Sequence, residues 1–196
     1  MSAFADAFEP LWALWWEIER ADRPPAGADA PRALRSLVER RFADIDARPA
    51  GAVVPYPLRQ AMRLLPEPRP ELARQRDEQP AKYLAKYAAA ALLDQAAFGH
   101  GGLRDAWSHA TLGMEMFNDA NAGENLYAVV AELRRAKDRE VLEVLEVYHA
   151  CLALGFRGRH RLDDPERLRL IKELAELALD GPAGPLAPHG LPREGA

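Results

Sequence analysis

Apolar positions recur at helical spacing along almost the whole chain. Phe4, Phe8, Leu11, Trp12, Trp15 and Ile18 follow the i, i+4, i+7 rhythm of one face, with Glu17, Glu19 and Arg20 off it, which predicts a first helix. Arg23-Pro24-Pro25 and Gly27 break that pattern. Asp29 is placed to cap a second helix with Pro31 in its first turn. Leu34, Leu37, Val38, Phe42 and Ile45 form that helix's apolar side, and it should end near Arg48-Pro49-Ala50-Gly51. Across 49–80, Pro55, Pro57, Pro66, Pro68, Pro70 and Pro80 allow only short pieces. The pattern there predicts a short helix between Pro57 and Leu65, a polyproline-like connector over Pro66–Pro70 and a short solvated helix over Glu71–Gln79.

After Pro80 the apolar face broadens. Tyr83, Leu84, Tyr87, Ala88, Ala91, Leu92 and Phe98 share it, and the uncharged run Ala88–Leu93 should be the most buried part of the molecule. Gly99-His100-Gly101-Gly102 ends this helix. The next helix is expected from about Asp105 to Asn118, presenting Trp107, Met114 and Phe117, with a turn at Asn121-Ala122-Gly123. Leu126, Val129, Val130 and Leu133 mark a further helix, and Asp138 to Leu154 another. Asp163-Asp164-Pro165 is a cap-plus-proline start for a last helix carrying Leu168, Ile171, Leu174, Leu177 and Ala178. From Gly181 the chain is too rich in Pro and Gly for regular structure. The sole strand candidate is Ala52-Val53-Val54, stopped by Pro55. The expected fold is therefore all-α, one helical domain over 1–180 followed by a flexible tail over 181–196.

Composition narrows the function. At 196 residues and 48% hydrophobic, the chain holds one domain with a sizeable core. Lys and Arg number 26 against 30 Asp and Glu, a formal net charge of −4, which excludes a general nucleic-acid binder. One cysteine, Cys151, excludes an internal disulfide and a Cys-cluster zinc site, and its place on an apolar helix face makes it a small core residue. The N-terminus lacks the basic-then-apolar order of a secretory signal. No apolar run reaches the roughly 20 residues that a spanning helix needs.

Candidate chemistry is sparse. His100, His109, His149, His160 and His189 form no His-Glu-x-x-His motif and no i, i+4 pair, so no metal site is expected. Ser2, Ser36 and Ser108 stand in no nucleophile motif. Gly155-Phe156-Arg157-Gly158 matches the Gly-x-x-Gly of a nucleic-acid module only superficially, since the strands of that module are absent from the pattern. Two features stand out. Asp94 is a carboxylate beside the most apolar run, so it lies wet at the helix rim or finds donors or a cation. Arg157, Arg159 and Arg161, with Gly158 and His160 between them, suit carboxylate recognition, by a partner or by Asp163, Asp164 or Asp94.

Tyr87-x-x-x-Ala91-Leu92-Leu93-Asp94, Trp107, Phe117, Ala122-Gly123-Glu124 and the run from Leu145 to Arg161 occur together in an order that resembles the DotU/TssL family, also called IcmH. The likeness spans about 80–178 and, loosely, 1–75. Its most specific part is Cys151-Leu152-Ala153-Leu154-Gly155-Phe156-x-Gly158-Arg159-x-Arg161. The resemblance implies an all-helical cytoplasmic domain of two packed bundles, and no enzymatic activity or cofactor. It implies a structural role at the cytoplasmic face of the bacterial inner membrane, in a type VI or type IVB secretion machine. The implied partners are TssM-like and TssJ-like membrane-complex proteins and a TssK-like baseplate protein, with a homodimer also open. It further implies a C-terminal membrane helix, which Leu186-Ala187-Pro188-His189-Gly190 would precede. An anchor-less adaptor of the same fold is the alternative.

Asp94 matches the first member of an acidic pair in the family pattern, whose second member is here Gln95. Glu124 matches the Glu of Ala-Gly-Glu, and Arg157 stands where the pattern has an acidic residue. Asp94, Gln95, Glu124, Arg157, Arg159 and Arg161 are thus the candidates for partner-binding or fold-orienting contacts. Asp94→Ala is expected to weaken recruitment of a baseplate partner without unfolding the domain. A remote alternative, acid/base hydrolysis by Asp94 and Glu124, requires the two carboxylates to converge in one cleft.

Overall fold

The computed structural model describes residues 2–20, 30–49, 54–109 and 111–179. The break at Arg23–Gly27, the cap at Asp29, most of the strand candidate and the Pro/Gly tail lie outside the described residues. Among those described, eleven helices and no strand occur: α1 (Ala3–Asp6), α2 (Glu9–Arg20), α3 (Ala30–Asp46), α4 (Tyr56–Met62), α5 (Pro70–Glu78), α6 (Pro80–Gly99), α7 (Gly101–Ser108), α8 (Leu112–Phe117), α9 (Ala122–Leu133), α10 (Arg139–Ala153) and α11 (Pro165–Leu179).

Helix α6 organises the rest. It is apolar around its circumference, and Ala88, Ala89, Ala90, Ala91, Leu92 and Leu93 are all at most 3% exposed. A helix of that character is stable only when neighbours cover every side. Helices α2, α3, α4, α5, α7, α8, α9 and α10 all pack against it. Two groups share it: α2, α3 and α7 on one hand, α4, α9 and α10 on the other, with α11 packed on α10. These are the two packed bundles, joined through one helix.

The proline-rich stretch is a packed arm. Helices α4 and α5 begin with a proline in their first turn, where the missing N–H costs nothing. Leu58, Ala61 and Met62 of α4 enter the core, whereas α5 buries no residue. Two lysines of α6 fasten the end of α3. The Lys86 ammonium is 1% exposed, sits 2.8 Å from both Asp46 carboxylate oxygens and also donates to Gln75 Oε1. Lys82 Nζ donates to the Asp46 carbonyl at 2.9 Å and to that of Arg48. Carbonyls at a helix C-terminus lack intrahelical donors, so cations there are doubly favoured.

Several expectations are corrected. The first helix is two, α1 and α2, separated at Ala7-Phe8 just before Pro10. The helix expected over 105–118 starts earlier, at Gly101, and is broken into α7 and α8. Thr111 causes the break: its side chain accepts from Met114 N–H at 3.1 Å and opens a new helix. Phe98 and Met114 stand at the surface, 36% and 40% exposed. Leu168 is 51% exposed, because the inward stripe of α11 runs through Arg167, Leu174 and Ala178.

Candidate functional site

The arginine-bearing loop begins where α10 ends. Gly155 adopts φ 115°, a left-handed conformation that glycine alone takes at little cost. Phe156 N–H then donates to the Cys151 carbonyl at 2.9 Å and Gly155 N–H to that of Leu152 at 3.2 Å, closing the helix in a Schellman motif. Phe156, 2% exposed, anchors the turn in the core.

Three elements grip the loop from beneath. From α6, Gln95 Oε1 accepts from Arg157 N–H at 2.7 Å and Gly158 N–H at 3.3 Å, while its Nε2 donates to the Gly155 carbonyl at 3.0 Å. From α9, the Tyr127 hydroxyl donates to the Arg157 carbonyl at 2.8 Å. From α11, Arg167 Nε donates to the Phe156 carbonyl at 2.8 Å and Nη1 to that of Leu162 at 3.0 Å, and Nη2 reaches that of Leu152. Gly158, at φ 54°, lies against Gly123 so closely that a Cβ on it would overlap the Gly123 carbonyl. The glycine pair lets the loop sit directly on the N-terminus of α9.

The loop's charged side chains point outward. Arg157, Arg159 and Arg161 are all exposed. The Arg159 guanidinium lies 5.6 Å from the Tyr127 ring centroid, and the His160 ring meets Tyr127 edge-on at 4.6 Å. Arg159 Nε donates to His160 Nε2 at 3.2 Å, so the neutral imidazole carries its proton on Nδ1 and donates it to Asp164 Oδ2 at 2.8 Å. That hydrogen bond holds the Asp164 carboxyl below its ordinary range. Arg161 and Asp163 stand 3.5 Å apart, both widely exposed.

Asp94, one residue before Gln95, faces a different neighbour and is buried at 8% exposure. Its Oδ1 accepts from Trp107 Nε1 at 2.7 Å and from Leu112 N–H at 2.8 Å, and its Oδ2 from Gly113 N–H at 2.8 Å. Burial pushes the carboxyl up to about 6, against the pull of the three donors. Asp94 thus ties α6 to the corner between α7 and α8. Glu124 is exposed in the first turn of α9, where a negative charge suits the helix dipole. Both Asp94 oxygens are occupied by these donors, whereas Glu124 has its carboxylate at the surface.

Sequence reasoning passed over Asp119, Arg167, Lys82 and Lys86. Asp119 accepts from Tyr87 OH at 2.5 Å, Asn125 Nδ2 at 2.8 Å and Asn121 N–H at 2.6 Å, fixing the entry to α9. The visible signal was charge at core register, as with the i, i+4 lysines on an otherwise apolar helix. Among the described residues one cluster brings metal-type donors together, His160, Asp164 and Glu166. Its groups serve the start of α11, where Asp164 Oδ1 accepts from Glu166 N–H at 2.8 Å.

The family model described as "Type VI secretion system protein DotU" matches residues 58–195. Among solved structures, the cytoplasmic domain of TssL from Acinetobacter baumannii is similar, with a TM-score of 0.63 and 22% identity, covering 90% of this chain and 99% of that one. The SciP/TssL crystal structure from enteroaggregative Escherichia coli 042 gives 0.57 and 22%, covering 100% and 98%. At that identity these two likenesses are of fold. No curated protein matches the sequence.

Proposed function

We propose that this chain, which belongs to the DotU family of type VI secretion system proteins, is a structural component of the secretion apparatus that docks baseplate proteins at the cytoplasmic face of the inner membrane. The observation that carries this reading is the use made of the molecule's polar residues. Asp94, Gln95, Tyr127 and Arg167 spend their hydrogen bonds on holding backbone in place. Around the braced loop the outward charges include Arg157, Arg159 and Arg161 with Glu124, Asp163 and Glu166, an arrangement suited to presenting a surface. Preorganised surfaces bind with less entropic loss than mobile ones. Reaction chemistry would instead require a nucleophile or an acid/base pair converging on a cleft.

The partners of this reading are TssM-like and TssJ-like membrane proteins and a TssK-like baseplate protein. Co-purification of the tagged chain with the proteins of its own secretion cluster tests it. Capture of the TssK-like or TssM-like protein is expected. A chain that is folded and abundant in the cell yet captures neither overturns the proposal.

A further inference from the structure

A hollow of about 460 Å³ opens beside the arginine loop, lined by Gln95, Arg157, Gly158, Arg161, Leu162 and Asp163, with His160 at its side. Three of its properties go together. Its floor is fixed, because Gln95 holds the backbone of Arg157 and Gly158 and Arg167 holds that of Leu162. Its charge is positive on a molecule whose formal net charge is −4. It also carries an apolar handle, since Leu162 in its lining is 57% exposed.

We propose that this hollow is a docking site for an acidic peptide segment of a partner protein, one that sets a carboxylate beside an apolar side chain. The proposal rests on the docking role given above and assigns it a place. Arg157 and Arg161 offer paired donors in the planar fork that matches a carboxylate. Among the described residues, Arg161 pairs with the exposed Asp163, 3.5 Å away, which competes weakly for it. An exposed leucine between arginines, in a rigid concavity, supplies the anchor-and-rim arrangement of a protein interface. A bilayer surface fits less well. Asp163 and Glu166 stand exposed at the same rim, and the net negative molecule is repelled by anionic lipid.

The test uses the purified chain and a labelled peptide of alternating glutamate and leucine, beside its glutamine–leucine counterpart and vesicles of phosphatidylglycerol. Anisotropy should rise with the glutamate peptide only and fall with added salt. Arg157→Gln with Arg161→Gln should weaken binding by about tenfold or more, as loss of charge-assisted hydrogen bonds requires. Leu162→Ala should weaken it less. These side chains are exposed, so circular dichroism should show the variants folded. Equal affinity for the two peptides, equal affinity of the double variant, or binding to vesicles in place of peptide each overturns the inference. The two proposals separate cleanly. A double variant that still captures the TssK-like or TssM-like protein at full strength removes the docking site and leaves the docking role. Specific peptide binding by a chain that captures no secretion protein does the reverse.

Discussion

At the scale of the residue, the neighbours Asp94 and Gln95 have separate tasks because successive helical positions point about 100° apart. Gln95 grips the arginine loop, and Asp94 the α7–α8 corner. Asp94→Ala would leave the Trp107 indole and two backbone N–H groups without an acceptor, at a cost of about 3 kcal/mol. The sequence-level expectation that this substitution spares the fold is therefore revised by its burial. Its pH dependence is distinctive. The folded carboxyl titrates near 6 against an ordinary 3.8, so it adds stability that is full below about 3.8 and lost as pH rises through about 6. Asp94→Asn cannot take part in that gain. The stability difference between wild type and Asp94→Asn should widen as pH falls from about 7 to about 4, in urea titrations at each pH. A difference that narrows would show that the three donors outweigh burial and that the folded carboxyl lies below 3.8.

At the scale of the element, the helices were legible because their cores are periodic. The faces of α3 and α9 and the first turn of α11 follow directly from spacing and caps. Some differences are local breaks, at Ala7-Phe8 before Pro10 and at the Thr111 cap, and others fall where a side chain from elsewhere in the chain holds the backbone. In the 105–118 segment the local cap at Thr111 opens a new helix, and Asp94, which no local pattern announces, holds the corner through the N–H groups of Leu112 and Gly113. Similarly, Arg167 takes an inward position on α11 because three distant carbonyls receive it, which turns Leu168 to solvent. Lys86 is the clearest case of a charge fixed by tertiary context. Burial holds its pKa below the ordinary lysine value, and Asp46 offsets that only in part. Lys86→Ala should cost about 2–3 kcal/mol, since it takes the ammonium away from Asp46 and Gln75; Asp46 is partly exposed and keeps its bond from Gln75 Nε2, which holds the loss below that of a fully buried pair. Thermal denaturation measures it, and Lys86→Met, which keeps the packing volume, should recover a part. Equal losses in the two variants would assign the whole effect to charge, and no loss in either would remove the fastening role.

At the scale of the whole molecule, the candidate residues could be named from the sequence, whereas their division into buried holders and exposed groups could not. The segment 80–178, which carried the family resemblance, contains the loop, Gln95 and Arg167, and so looks self-sufficient. The packing argues otherwise. Helix α6 needs cover on every side, and α2, α3, α4 and α5 supply part of it. Phe8, Leu11, Val38, Phe42 and Leu58, all at most 2% exposed, are buried in the core to which α6 belongs. Lys82 and Lys86 find their acceptors at the end of α3 and in α5. Removing that cover would bare a largely uncharged helix and strand two buried ammonium groups, each a large cost against a typical stability of roughly 5–15 kcal/mol. A fragment of residues 80–179 should therefore show helical circular dichroism without a cooperative urea transition, and should bind hydrophobic dye as a molten state does. Supplying residues 2–79 as a second chain should restore cooperativity, because the missing faces return with it. A fragment that unfolds cooperatively alone would mean that α9, α10 and α11 suffice to hold α6, and that the N-terminal helices form an appended unit and not the second half of one core.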